Sequence, residues 1–442
     1  MGDEVYAALS KISAAVFDDV ETQLAHARTH DAIDGPGPSM TPTDPGPRPL
    51  AFALHDVIAE GDLIEAIRKS SWAVLFKNLQ DEPGMIRTSH YAVCWFSGWA
   101  FGGCALGEFV ARLLTCAHQR VRLNGKAPAV ENVASELGLI VSETDQLLEG
   151  HAVELPFLHY INGVAIEAGG SIEIGDTGEL LPLDQNRWTL LHDNREAWTV
   201  DIAIASGVLL VERVSVWLDL EPCFQDFDPN PPTGLKEHRS VLTDLTTAVA
   251  LTDLVKPIGL RRLSSSHLNH LAGKSVSFDG TFIKGQDGPR VLRDDEVSRL
   301  KELLGVIAGA DLSSIGLAID RLVLGLGRNR TSDKMIDGAI GIESLFGEKL
   351  FVNHSIAVSL SALLGESEET RLLLFDRWKQ LYDSRSKLVH GGKRKGDGSY
   401  SEDAEEIMSL LARSIVSIMA DPDLQNLTAS QRAKKLAVRP RD

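Results

Sequence analysis

Beyond Arg290 the apolar residues fall at every third or fourth position and keep that rhythm almost to the end of the chain. This spacing fits the 3.6-residue turn of an α-helix and excludes a half-buried strand. Asp311 can cap a helix reaching about Arg328, with Ile315, Ile319, Leu322, Val323 and Leu326 on its buried face. Thr331 or Ser332 starts a second helix through Ile336, Ala339, Ile340, Glu343 and Phe346, and Asn353 starts a third that ends at Leu364-Gly365. Glu368 to His390 forms a long fourth helix stopped by Gly391-Gly392, and Ser401 caps a fifth running to Ala420. Five helices with short connections predict an all-α, up-and-down bundle over residues 291–442.

The rest of a 442-residue chain exceeds one ordinary core, so further domains are expected before it. Val5, Leu9, Ile12, Val16, Val20 and Leu24 form one apolar stripe, predicting an amphipathic helix within residues 1–34 that packs back on the body. Residues 35–49 are rich in proline and glycine and suit a linker. Residues 50–150 read as mainly helical. Within them, the uncharged run Tyr91 to Gly107 is interrupted by glycines and Ser97, and suits buried core rather than a membrane span. Pro128 to Leu148 has the pattern of a helix-turn-helix with Gly138 at the turn, which raises a transcription regulator as one alternative. Its second helix would offer Ser142, Glu143, Asp145 and Gln146, however, and lacks cations for phosphate.

Between His151 and Arg290 the period changes to two, as in Trp198 to Ile204 and in Val214, Val216, Leu218 and Leu220. Gly169-Gly170, Asp176 to Gly178 and Asp279-Gly280 punctuate the pattern, so residues 151–290 read as a β-rich module. The expected class is α+β: a mixed helical and β-rich N-terminal body followed by the helical bundle.

Charge separates the same two regions. Residues 291–442 hold 22 Lys+Arg and 23 Asp+Glu of the chain's 44 and 62, so residues 1–290 carry nearly all of the net charge of −18. An acidic body repels a polyanion, and any nucleic-acid contact is therefore expected at the C-terminal end. Cys94, Cys104, Cys116 and Cys223 are too scattered for a disulfide framework or a zinc site, which fits a reducing cytoplasm. The opening MGDEVYAALS has no apolar run and is not a secretory signal. No cofactor, metal or membrane contact is expected.

Within the bundle, Leu374, Trp378, Leu381, Arg385 and Leu388 are spaced four, three, four and three, so Arg385 occupies a core-facing position where packing alone would place an apolar residue. A half-buried Arg needs an anion or a carboxylate, and Glu343 and Asp383 are the structural partners on offer. His390 follows five residues later. Similar Arg/His spacings occur at Arg112/His118, Arg187/His192 and Arg262/His267, so spacing alone selects nothing. Local charge does: Lys387, Lys393, Arg394 and Lys395 surround His390, opposed only by Asp383 and Asp397, and Tyr382 can stack on a base.

The run Ile336 to Phe346, IDGAIGIESLF, then SIAVSLSALLG at Ser355 to Gly365, then LYDSRSKLVHGG at Leu381 to Gly392, resembles in order and spacing the ApeA-like branch of the HEPN superfamily. Residues 151–310 resemble, more loosely, the β-rich region that precedes this domain in such proteins. The resemblance implies a HEPN helical domain in a homodimer, with the signature Arg, polar residue and His falling on Arg385, Ser386 and His390. It also implies endoribonuclease activity in phage defence or as a toxin, with RNA such as tRNA as substrate. The N-terminal body would act as sensor or restraint, with a phage or regulatory protein as a further partner. Many members carry Asn or Asp where this chain has Ser386, and some HEPN domains bind without cutting. A non-catalytic RNA- or protein-binding module is thus the main alternative.

The implied chemistry needs no metal. The RNA 2'-hydroxyl attacks the adjacent phosphate if a base removes its proton and an acid serves the leaving oxygen, and a free imidazole, titrating near ~6.5, can do either. Arg385 would hold the phosphate and stabilise its developing charge. Residues five apart on a helix lie about 140° apart around the axis and ~7.5 Å along it. One Arg and one His therefore converge only if the last turn unwinds at Gly391-Gly392 or if two protomers share a composite site, and the composite is expected.

Overall fold

The computed structural model describes residues 2–30, 50, 54, 57–58, 62–81, 86–89, 91–96, 98–167, 170–184, 187, 190, 207–220, 231–235, 240–252, 260–268, 270–271, 282–283, 290–347, 352–390 and 400–438. Its strands are β1 (Phe76–Lys77), β2 (Arg87–Thr88), β3 (Tyr91–Trp95), β4 (Gly98–Gly102), β5 (Val153–Asn162), β6 (Val164–Ala165), β7 (Ile172–Ile174), β8 (Gly178–Pro182), β9 (Gly207–Asp219), β10 (Leu260–His267), β11 (Phe282–Ile283) and β12 (Arg290–Val291). A mixed α/β N-terminal region precedes a largely helical C-terminal one. The chain divides into two compact units that interleave in sequence: residues 1–160, 181–238 and 263–279 in the first, and 161–180, 239–262 and 280–442 in the second. The stretch 151–290, read as one module, is shared between both.

In the first unit, the N-terminal stripe forms two helices, α1 (Gly2–Ala15) and α2 (Phe17–His30), joined through a single turn residue, Val16. Helical hydrogen bonding continues across the joint from Val16 N–H to Ile12 O at 3.0 Å and from Val20 N–H to Val16 O at 3.1 Å. All six stripe residues are buried, and α1 packs on the short α3 (Leu63–Lys69) and on α5 (Val130–Leu148), which itself lies against α4 (Leu106–Leu123). The helix-turn-helix expectation fails here: Val130–Leu148 is one unbroken helix that runs through Gly138, beside the Tyr6 ring.

The helical reading of residues 50–150 also fails over residues 76–102. The strands β3 and β4 form a hairpin pairing Tyr91 with Gly102 and Trp95 with Gly98, and β9 adds antiparallel to β3 with Ala92 opposite Asp219. Tyr91, Ala92, Val93 and Cys94 are all buried. A strand covered on both faces shows no alternation, and a continuous apolar run hides its period. Buried donors then clasp the carbonyls of the crossing segment 268–271. Arg120 Nη2 and Cys116 Sγ each donate to Leu268 O at 3.2 Å, while the Tyr91 hydroxyl donates to Leu271 O at 3.0 Å. Burial pushes the Cys116 thiol up to about 11, so it acts as a packing group and not as a nucleophile. Trp198 to Ile204 and Cys223 lie outside the described residues. No described helix is long and apolar enough to cross a membrane.

In the second unit, β7 and β8 form the hairpin expected around Asp176 to Gly178, and β12 pairs parallel with β6. Helix α6 (Val241–Thr252), unexpected within the β-rich stretch, packs on α7 (Asp294–Gly309). There follow α8 (Gly316–Gly327), α9 (Thr331–Phe346), α10 (Val352–Leu364), α11 (Glu368–Val389), α12 (Tyr400–Met419), the one-turn α13 (Pro422–Gln425) and α14 (Ala429–Ala437). Helices α8 to α12 match the five expected, while α7, α13 and α14 are additions. Asp311 bonds the Ser313 N–H at 2.9 Å in the turn before α8, which starts only at Gly316.

Helix α9 is the hub, packing on α8 and α12. Glycines make this possible: a Cβ on Gly338 would sit 2.7 Å from Ile407 and one on Gly341 2.5 Å from Leu411, both on α12, and Gly325 of α8 would meet Met408 at 2.7 Å. Asp337, beside this seam, is buried and takes Arg321 Nη1 at 2.9 Å and Arg328 Nε at 2.8 Å. At the far end of α9, Arg432 of α14 has no exposed surface and no carboxylate beside it among its hydrogen-bond partners. It donates to Leu345 O at 2.8 Å, Leu427 O at 2.8 Å, Leu424 O at 3.2 Å and Ser314 Oγ at 3.1 Å. Desolvation holds its pKa below the usual guanidinium range. Leu345 lies in the last turn of α9, where carbonyls have no intrahelical partner and the helix dipole is negative, so the cation closes that end. Arg432→Met should therefore lower the unfolding free energy by about 3 kcal/mol or more, because several buried carbonyls lose their donor together. Lys434→Met, on the exposed side of the same helix, should change it by no more than about 0.5 kcal/mol. Urea titration of the two variants checks this.

Candidate functional site

The ends of α11 fix its register. Ser367 caps the first turn reciprocally with Thr370: its hydroxyl accepts the Thr370 N–H at 3.2 Å, and the Thr370 hydroxyl accepts the Ser367 N–H at 2.9 Å. At the other end, His390 N–H still donates to Ser386 O at 3.1 Å. Helical hydrogen bonding therefore runs through His390, and the last turn does not unwind there. Of the 22 residues in α11, only Trp378 and Leu381 are fully buried.

Arg385, one step further along the stripe, keeps 24% of its side chain exposed, in keeping with its expected half-burial. Its Nη2 lies 4.0 Å from Glu343 Oε1 on α9, and its guanidinium carbon lies 5.7 Å from the centre of the Tyr382 ring. A separation of 4.0 Å gives charge attraction without a proper hydrogen bond. The Arg385 Nε is buried and has no hydrogen-bond partner among the described residues. Burial raises the Tyr382 phenol above its ordinary pKa, and the Glu343 carboxylate beside it adds to the rise, while Arg385 works against both. Tyr382 also leans on Trp378, ring centres 5.9 Å apart.

Arg385, Tyr382 and Glu343 thus come together as one half-buried group. His390 is exposed at the C-cap of α11, with Asp383 and Lys387 also exposed and Ser386 partly so. Asp383, named from sequence as a possible counter-ion of Arg385, is not one; Glu343 takes that place. Lys393, Arg394 and Lys395 lie outside the described residues, as do Gly391 and Gly392.

The other Arg/His spacings separate cleanly where they are described. His118 is fully buried, with Nδ1 against Glu21, while Arg112 pairs with Glu108 in the preceding turn. Sequence reasoning did miss a second stripe on α11. Leu372, Phe375, Lys379, Tyr382, Ser386 and Val389 repeat at three and four residues beside the buried stripe. None is fully buried; Leu372 is 61% exposed and Val389, next to His390, 49%. The spacing was readable, but a first stripe containing Trp378 and Leu381 accounted for the helix on its own. Among the described residues, no group of three or more His, Cys, Asp or Glu is placed to hold a metal ion.

The chain matches no family model, no curated protein and no solved structure.

Arg385 is half-buried on the stripe with an Nε–H that has no acceptor among the described residues, so its removal should cost the fold little. Arg385→Leu should unfold in urea within about 1 kcal/mol of the parent or above it, since an apolar side chain suits the stripe and needs no counter-ion. A loss well beyond that would mark Arg385 as a structural ion-pair residue.

Proposed function

We propose that the second unit is a metal-independent endoribonuclease of the HEPN type, acting in phage defence or as a toxin, with Arg385 and His390 as its catalytic residues. One observation carries this reading: an arginine on the core-facing stripe of α11 whose buried Nε–H has no acceptor among the described residues. Stability does not call for a cation there, whereas a phosphate oxygen would satisfy it. Arg385 would grip the scissile phosphate through its fork of donors. An exposed imidazole would take the 2'-hydroxyl proton, and the 2'-oxygen would attack phosphorus as the bond to the 5'-oxygen breaks. A second imidazole would protonate that leaving oxygen. Tyr382 offers a ring for stacking, Glu343 stands beside Arg385, and Ser386, Asp383 and Lys387 line the approach. Lys393, Arg394 and Lys395 would add phosphate attraction.

Helical continuity through His390 keeps Arg385 and His390 of one chain angularly apart, which supports a homodimer with a composite site. The exposed Val389 beside His390 supplies an apolar contact at the place where a two-fold axis would bring both imidazoles together. The first unit would serve as sensor or restraint, and a phage or regulatory protein would be its partner.

Purified protein incubated with total RNA or tRNA in EDTA should yield ends bearing 2',3'-cyclic phosphate and 5'-hydroxyl. His390→Ala and Arg385→Ala should each lower turnover by at least ~10²-fold with the fold intact. Ser386→Ala and Asp383→Ala should cost less. Changing Lys387, Lys393, Arg394 and Lys395 to Ala should weaken binding and flatten its salt dependence while leaving turnover. RNA that is bound but not cut would favour the non-catalytic binding module, and inhibition by EDTA would sink the mechanism.

Sedimentation at micromolar concentration should give twice the 48.0 kDa of the chain. Val389→Glu should shift the particle toward the monomer and remove cleavage together. A monomer that still cuts RNA would overturn the composite site.

A further inference from the structure

Glu343 stands out among the acids of the second unit because it faces a cation it does not bond well. Other acids of that unit meet their arginines at ordinary hydrogen-bond distance. Asp337 takes two arginines at 2.8 and 2.9 Å, and Arg377 donates to both Glu406 oxygens at 2.9 and 3.0 Å and to Asp403 at 3.0 Å. Against that background, 4.0 Å from Glu343 Oε1 to Arg385 Nη2, with no acceptor for Arg385 Nε among the described residues, is a loose contact. Glu343 is 27% exposed on its side chain, so the pair sits at the surface end of the α9–α11 contact rather than in the core. The carboxylate neutralises Arg385 without closing its donor fork, and Tyr382 stacks against the same guanidinium.

We propose that Glu343 is a restraint on the anion site: it occupies Arg385 electrostatically while no polyanion is bound, and an incoming phosphate must compete it away. This deepens the nuclease reading and rests on it for the identity of the anion, while the competition itself depends only on the Glu343, Tyr382 and Arg385 geometry. A carboxylate that merely positioned Arg385 would have the opposite effect on binding when neutralised. The sign of one substitution therefore separates restraint from support.

The test is the affinity of the full-length protein for a 2'-O-methyl oligoribonucleotide, which cannot be cut, and for pyrophosphate. Both are measured by calorimetry for the parent, Glu343→Gln, Arg385→Ala and the double variant. Glu343→Gln should bind both probes about tenfold more tightly, a change of 1.4 kcal/mol, and the gain should vanish in the double variant. Tyr382→Phe, which keeps the ring and removes the hydroxyl beside Glu343, should shift affinity less. Unchanged or weaker binding by a folded Glu343→Gln overturns the restraint, as does a gain that survives Arg385→Ala. A misfolded Glu343→Gln also overturns it, since the acid would then be structural. If His390→Ala abolishes cleavage while Glu343→Gln fails to tighten binding, the nuclease reading stands and the restraint falls. If no RNA is cut by the parent yet Glu343→Gln tightens both probes through Arg385, the restraint stands and the nuclease reading falls.

Discussion

The close approach of α12 to α9 sets the geometry on which the second unit depends. Gly338 and Gly341 leave α9 without side chains at two points, and Ile407 and Leu411 of α12 occupy the space that any Cβ would take. A methyl group at either place would collide at 2.7 Å or less. With the seam fixed this tightly, the flanking Asp337 is buried and needs both Arg321 and Arg328 to offset its desolvation. Six residues further along the same rigid helix, Glu343 meets α11 beside Arg385. The placement of one acid at the candidate site thus follows from two missing side chains in the core.

Helices α8 to α12 were legible because their signals are local. A three-four apolar spacing and a terminal glycine or histidine lie within a few residues of one another, whereas the expected caps were less exact: Asp311 precedes the start of α8 at Gly316, and Ser401 lies inside α12, which begins at Tyr400. The half-burial of Arg385 was legible in the same way, because Arg385 broke an otherwise apolar stripe. What was hidden depended on distant partners. Tyr91 to Trp95 is a strand because β9 and β4 cover its edges, and no residue within it announces that. Gly138 looked like a turn residue, yet the helix Val130–Leu148 runs straight through it, packed on α1 from the start of the chain. The division of residues 151–290 between two units is of the same kind, since it reflects contacts made far along the chain.

Arg432 and Arg385 show two outcomes of burying a guanidinium in the same helical unit. Arg432 has no carboxylate among its hydrogen-bond partners but gives its donors to three backbone carbonyls and the Ser314 hydroxyl. Every donor nitrogen is used, so the residue acts as a cross-link. Arg385 has a carboxylate near it and an aromatic ring over it, yet its buried Nε–H has no acceptor among the described residues. Leaving a buried donor unpaired costs about 1–3 kcal/mol. A chain that needed only stability at that position would carry leucine, as its neighbours on the stripe do.

The path of α11 also limits what one copy of the chain can do. Because His390 N–H bonds Ser386 O, the helix holds its pitch past Arg385, and residues five apart on such a helix lie about 140° apart around its axis. Tyr382, Ser386 and Val389 recur at helical spacing as a ridge between the two, and Val389 is half exposed and apolar. A monomer would leave this ridge in water and its Arg and His directed apart. Two copies related by a two-fold axis near Val389 would cover the ridge and bring both sets of side chains to one cleft. One apposition would thus answer both the exposed apolar surface and the divided site, so the residue to watch in any assembly of this chain is Val389 as much as His390.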